Sequence, residues 1–199
     1  MMYKPAPALE IQPGVFKTKI EGLYFLAYNF AGDERGFFAE VGHTHKIEAV
    51  TGQPFKILQI NHSRSSLNVV RGMHAEGWNK LVTVINGLAF SALADVRPDS
   101  SSFGAVETFE FGPDNGGLKG SLYISEGIAN SVCVLKAPVD YIYCVDKLYQ
   151  DRDKAGDQAI SLFDPDLAIA WPIVRDKMII SQRDKDAVTL RQKFPQKFT

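Results

Sequence analysis

Hydrophobic and polar positions alternate with a two-residue period along most of this chain. Gly, Pro, Asn and Asp cut the alternation every few residues. Phe55–Asn61 shows the period: Phe55, Ile57, Gln59 and Asn61 share one face, while Lys56, Leu58 and Ile60 share the other. Strands of the same kind are predicted at Leu23–Phe30, Leu67–His74, Lys80–Ile85, Leu88–Val96, Val106–Phe111, Ser121–Ser125, Val132–Leu135 and Val139–Val145. A further short strand carries Phe37, Phe38 and Glu40 out of the charged turn Asp33-Glu34-Arg35-Gly36. Asn86-Gly87 between two such runs predicts a tight hairpin. Ser63–Ser66 and Gly112–Gly117 read as turns, and Gln150–Asp157 as a charged loop. Helix is expected only at His43–Val50, ended by Gly52-Gln53-Pro54, and near the C-terminus at Asp184–Lys193.

About ten short strands with so little helix predict an all-β fold, an antiparallel barrel or jelly roll. No internal repeat or linker divides residues 1–199, so one domain is expected. Residues 1–14 carry Pro5, Pro7 and Pro13 and read as an arm; residues 150–199 read as a cover segment. The inner face that turns polar at Gln59 and Asn61 needs partners or a ligand, since a buried unpaired amide costs about 1–3 kcal/mol.

Composition narrows the function. The 199 residues are 45% hydrophobic and 23% charged, with a formal net charge of −1. No basic surplus exists for a nucleic-acid backbone, so nucleic-acid binding is not expected. Cys133 and Cys144 both sit in apolar runs and form no disulfide framework. No apolar run approaches the roughly 18 residues of a membrane span, and the N-terminus lacks an apolar leader. A cytoplasmic protein is expected.

Candidate chemistry gathers between Gln59 and Gly87. A barrel metal site wants imidazole or carboxylate ligands. Here only His74 suits one; Glu76 follows two residues on, the ammonium of Lys80 six residues on, and Asn130 stands where a later ligand would come. No metal and no cofactor are expected, and His43, His45 and His62 read as solvated residues at turns or strand ends. One His and one Lys inside a barrel suit proton abstraction beside a carbonyl. His74 would be the base and Lys80 would stabilise the enolate. The acid on the opposite face would be a tyrosine: Tyr141, Tyr143 and Tyr149 all qualify, and spacing does not choose among them.

Taken in order, Asp33–Glu40, Gln59–Ser65, Val70–His74, Lys80–Val82, Asp95–Arg97 with Ser102–Gly104, Ser125–Gly127, and Asp164-Pro165 to Trp171-Pro172 resemble the dTDP-4-dehydrorhamnose 3,5-epimerase family of metal-free cupins over roughly residues 15–190. The resemblance implies that His74 abstracts the protons at C3 and C5 and that Asp184 pairs with it. It also implies that Lys80 stabilises the C4 enolate and that Tyr143 is the acid. Arg71 and Arg35 would grip the diphosphate, Arg35 from a neighbouring subunit. Phe38, Glu40 and Tyr149 would hold the deoxyribose and thymine, and Gln59, Asn61 and Asn130 would border the pocket. A dTDP-linked 4-keto-6-deoxy sugar and a homodimer with N-terminal strands (residues 1–30) exchanged are implied as partners. The loop between His74 and Lys80 is short, and Asn130 replaces a histidine, as in a short-loop branch of the family. A single-carbon epimerase, a ketoisomerase that moves the carbonyl, a non-catalytic nucleotide-sugar-binding cupin and a metal-dependent cupin oxygenase are the alternative readings; the Lys80 and Tyr143 matches favour the epimerase over the ketoisomerase.

Overall fold

The computed structural model describes residues 2–113, 116–151, 157 and 159–198. It contains β1 (Glu10–Gln12), β2 (Val15–Lys17), β3 (Leu23–Ala27), β4 (Ala31–Asp33), β5 (Gly36–Phe38), α1 (Thr44–Thr51), β6 (Gln59–Ser65) and β7 (Val69–His74). The long strands β8 (Lys80–Asp95) and β11 (Ile128–Val145) enclose β9 (Val106–Phe111) and β10 (Gly120–Ile124) in sequence. The chain closes with β12 (Ile179–Ile180), α2 (Gln182–Lys185) and α3 (Leu190–Lys193).

One ten-stranded sheet follows the order β1-β2-β3-β10-β8-β11-β7-β12, with β6 also on β11 and β9 also on β8. It bends into two facing halves that share β8 and β11. The first half of β8 and the second half of β11 pair with β10 and β6; their other halves pair with β9 and β7. Phe25, Val82, Val84 and Leu122 from one half meet Leu93, Phe109, Phe111 and Val134 from the other in a single interior core. This is the all-β jelly-roll arrangement that the alternation predicts.

Each outer face is covered in turn. Ile47 of α1 and Phe55 pack over Leu81 and Tyr123. Ile160, Leu162, Leu167 and Leu190 of the C-terminal segment pack over Phe90, Ala92, Ala94 and Cys133. Burying Cys133 among them pushes its thiol up to about 11. Among the described residues no helix is long and apolar enough to cross a membrane.

Several local expectations give way. Asn86-Gly87 does not reverse the chain: β8 runs straight through it. Gly87 has φ +82°, and a Cβ there would collide with the carbonyl oxygen of Pro138. The dipeptide therefore marks a bend where two strands nearly touch, and the positive φ that signals a hairpin is used to turn a corner. Val132–Leu135 and Val139–Val145 are likewise parts of one strand, bent around Pro138. Ser63–Ser65 extends β6 rather than turning, while Phe55–Leu58 lies ahead of that strand. The C-terminal helix is two short ones. Ser181 caps α2, and Thr189 with Gln192 forms a capping box that restarts the backbone as α3. The expected turn at Gly112–Gly117 and the charged loop Gln150–Asp157 fall partly on residues 114–115 and 152–156, outside the described residues.

Of the N-terminal thirty residues, β1, β2 and β3 pair in series onto β10 of the same chain, and Tyr3 is buried against Phe25 and Phe109. Directly after them comes the β4–β5 hairpin, where Phe37 and Phe38 are 65% and 66% exposed.

The end of β8 carries a polar anchor. Asp95 is wholly buried. It accepts hydrogen bonds from Arg97 Nε (2.9 Å) and Nη2 (2.7 Å) and from the Ser100 and Ser102 hydroxyls (both 2.5 Å). Burial raises its pKa, but these donors more than offset that and hold it at about 2. A folded-state value below the unfolded one contributes stability above about pH 4 that is lost as pH falls toward 2. Asp95→Asn is expected to cost about 2–3 kcal/mol in urea unfolding at pH 7, because Arg97 keeps its charge without a partner. The gap to the unaltered protein should narrow below pH 3.

Candidate functional site

The site is built around an irregularity in β7. In a regular strand, residues three apart point to opposite faces. Arg71 and His74 nevertheless both line one cavity. Across the β7–β11 ladder His74 stands opposite Asn130 and Arg71 opposite Val132, so three steps on β7 match two on β11. The extra residue is absorbed at Gly72-Met73 as a β-bulge. Gly72 has φ +124°, and a Cβ there would sit 2.7 Å from the Asn130 carbonyl oxygen. Met73 turns outward into the core beneath the C-terminal cover.

That cover then delivers the partner of His74. β12 pairs in parallel with β7, and α2 begins directly after it. Asp184, buried in α2, places Oδ1 2.7 Å from His74 Nε2 and accepts the Gly72 backbone N–H on Oδ2 at 3.3 Å. Burial opposes the Asp184 charge, yet the hydrogen bond and charge of His74, the Gly72 N–H and the Ser181 hydroxyl together hold its pKa below the usual carboxylate range. An ionised carboxylate only accepts, so the imidazole proton sits on Nε2 and the lone pair is on Nδ1.

Lys80 starts β8 and is 4% exposed. Its ammonium donates to Asn130 Oδ1 at 2.6 Å and to Glu76, with which it forms an ion pair. Tyr141 and Tyr143 alternate inward on the opposite half-sheet, across from Val84 and Val82. Burial, then the charges of Glu76 and Tyr149, raise the Tyr143 pKa against a smaller lowering by Arg71. Tyr143 therefore keeps its proton near neutral pH.

A cavity of about 600 Å³ collects these groups. Of the residues singled out from sequence, His74, Lys80, Tyr143, Asp184, Arg71, Asn130 and Tyr149 all line it. Gln59 and Asn61 stand outside its lining. Gln59 Nε2 donates to Asn61 Oδ1 (2.6 Å), and Gln59 Oε1 accepts the Tyr149 backbone N–H (2.9 Å), so the two amides support the site from behind. Arg35, Phe38 and Glu40 do not reach the cavity of their own chain. Arg35 is held by Asp33, Phe38 is exposed, and Glu40 lies 3.5 Å from His43.

Sequence reasoning missed Glu76 as part of the site, having weighed it only as a metal ligand. Its spacing of four from Lys80, opposite in charge, was the available signal. Arg183 and Ser63 also line the cavity. His62, expected to be solvated, is paired with Asp140 (2.7 Å), which Arg64 also grips.

The family model described as dTDP-4-dehydrorhamnose 3,5-epimerase matches residues 17–192. The chain belongs to that epimerase family. The dTDP-4-dehydrorhamnose 3,5-epimerase of Escherichia coli K12 is 34% identical over 180 residues, covering 88% of this chain and 94% of the relative. A dTDP-4-dehydrorhamnose 3-epimerase from Streptomyces niveus is 30% identical over 177 residues, 87% of this chain and 82% of the relative. The crystal structure of a Legionella pneumophila 3,5-epimerase in complex with dTDP-4-keto-L-rhamnose superposes with a TM-score of 0.78 at 31% identity, over 89% of this chain and 92% of that one. As a member of the epimerase family the protein is an isomerase, and its jelly roll is the fold of these relatives.

Proposed function

We propose that the protein inverts C3 and C5 of a dTDP-linked 4-keto-6-deoxyhexose through a C4 enolate. The observation that carries the reading is the opposition within one cavity of an oriented base, His74 on Asp184, and a protonated phenol, Tyr143, with the buried Lys80 lining the same cavity. His74 Nδ1 takes the proton from the carbon next to the ketone, and the C–H electrons form the C=C bond while the carbonyl pair moves onto O4. The Lys80 ammonium, itself 4% exposed, meets that developing charge, and a preorganised cation there contributes several kcal/mol. Tyr143 then delivers its proton to the other face, and solvent restores both groups. Arg71, with Arg183 beside it in the cavity lining, supplies guanidinium donors for the diphosphate.

A homodimer completes this reading. The β4–β5 hairpin leaves Arg35, Phe37 and Phe38 exposed, and exposed apolar side chains of this size suit a second copy. In that dimer the hairpin, with Glu40 after it, closes the nucleotide end of the partner's cavity. A cytoplasmic site of action fits a substrate made from a nucleotide sugar.

Incubation with dTDP-4-keto-6-deoxyglucose in D2O tests the function by NMR. Deuterium entering at C3 and C5 supports double epimerisation, entry at one carbon makes the protein a single-carbon epimerase like the Streptomyces niveus relative, and entry at neither overturns the reading. Tyr143→Phe separates the two half-reactions. Exchange on the His74 face should continue within about tenfold, while net inversion falls about 10²-fold for want of the opposite proton donor.

A further inference from the structure

We propose that Glu76 reads the hydroxyl beside the ketone, so that Glu76 and Lys80 together recognise an α-hydroxyketone. The inference rests on the keto-sugar reading above. An ammonium has three donors. Lys80 commits one to Glu76 Oε2 and one to Asn130 Oδ1, leaving a single N–H for a ligand in the cavity that all three residues line. The Glu76 side chain is 15% exposed, and among the described residues its Oε1 has no hydrogen-bond partner. The pair thus offers one donor and, next to it, one acceptor.

A 4-keto sugar presents the complement on one side only. The ketone oxygen accepts the Lys80 N–H. The C3 hydroxyl beside it donates to Glu76 Oε1. On the other side C5 carries the ring oxygen and a methyl group, neither of which can donate. Glu76 therefore sets which way round the ketone lies as well as which sugars fit.

The loop bearing Glu76 is built to hold it still. The Glu76 carbonyl accepts the Gly127 N–H at 3.1 Å, and Lys147 donates to the Gly77 carbonyl. Asn79 is clamped by Asp146 at 3.0 and 2.7 Å and accepts the Glu126 N–H at 3.0 Å. Trp78 between them is 2% exposed. A carboxylate on so short and fixed a loop selects by position, because it cannot swing to follow a misplaced hydroxyl.

The test is a cycle of binding constants measured by calorimetry. It pairs the unaltered protein and Glu76→Ala with dTDP-4-keto-6-deoxyglucose and its 3-deoxy analogue. The unaltered protein should bind the hydroxylated sugar about tenfold or more tighter, as a charge-assisted hydrogen bond allows. Glu76→Ala should bind the two within about threefold. Any weakening that comes through a disturbed Lys80 affects both ketones alike and leaves the ratio untouched. Equal discrimination by both proteins, or none by the unaltered one, overturns the inference; the latter comparison stands even if the variant fails to fold. Lack of deuterium exchange in a protein that binds dTDP would instead overturn the proposed function.

Discussion

His74→Ala should lose about 10³- to 10⁴-fold in deuterium exchange at both carbons, while its dissociation constant for dTDP stays within about threefold. A positioned general base contributes on this order, and no other group among the described residues lining the cavity is placed to replace it. Tyr143 is held in its protonated form. Asp184 is buried behind the imidazole and bonded on both oxygens, so it cannot advance to the substrate. Glu76 is tied to Lys80 through Oε2, and in the keto-sugar reading its Oε1 takes the C3 hydroxyl. Binding of dTDP should survive because in the proposed complex guanidinium groups meet its diphosphate, and Arg71 is fixed independently by the Ser65 hydroxyl at 3.0 Å. The fold should survive as well: the His74 side chain faces a cavity, so truncation leaves no new void in a packed core. A variant that still exchanges at wild-type rate would remove His74 from the reaction.

How much of this was visible in the sequence differs from element to element. The period-two alternation located β9 at Val106–Phe111, and the Gly52-Pro54 stop located the end of α1, because each depends on local chemistry. The alternation could not show that strands on either side of Asn86-Gly87 or of Pro138 were continuous. A positive-φ glycine or a proline bends a strand or reverses it according to what the rest of the sheet does. That Arg71 and His74 line one cavity contradicts a regular strand, and only Gly72 hints at the bulge that permits it. The His74–Asp184 contact spans 110 residues and depends on β12 adding in parallel to β7; periodicity carries no trace of it, and the family resemblance supplied it. Spacing also left Tyr141, Tyr143 and Tyr149 equivalent, and all three do line the cavity. Tyr141 is distinguished by deep burial, which drives its pKa far upward, and by its contact with Asn130.

Asp184→Asn should cost about 10³-fold in exchange, more than its modest change in shape suggests, through the imidazole tautomer. The native carboxylate accepts at both oxygens: His74 Nε2–H on Oδ1 at 2.7 Å and the Gly72 N–H on Oδ2 at 3.3 Å. An amide has one accepting oxygen, so it cannot serve both. The Gly72 N–H is a fixed donor in the bulge and cannot change its role, whereas imidazole can move its proton. Leaving the buried Gly72 N–H unpaired costs about 1–3 kcal/mol, so the oxygen of the substituted amide should turn toward Gly72 and its NH₂ toward His74. Nε2 must then accept, the imidazole proton moves to Nδ1, and the lone pair that would take the C3 or C5 proton is gone. Loss of the carboxylate also removes the charge that stabilises the imidazolium formed during abstraction, the role a buried aspartate plays in hydrolase triads, where the same replacement costs about 10⁴-fold. Two observations separate this account from simple loosening of α2: nitrogen-15 shifts of His74 should show the proton moved from Nε2 to Nδ1, and thermal stability should fall only slightly. A variant that kept the Nε2–H tautomer yet lost exchange equally would show that the charge of Asp184, rather than its geometry, is what His74 requires.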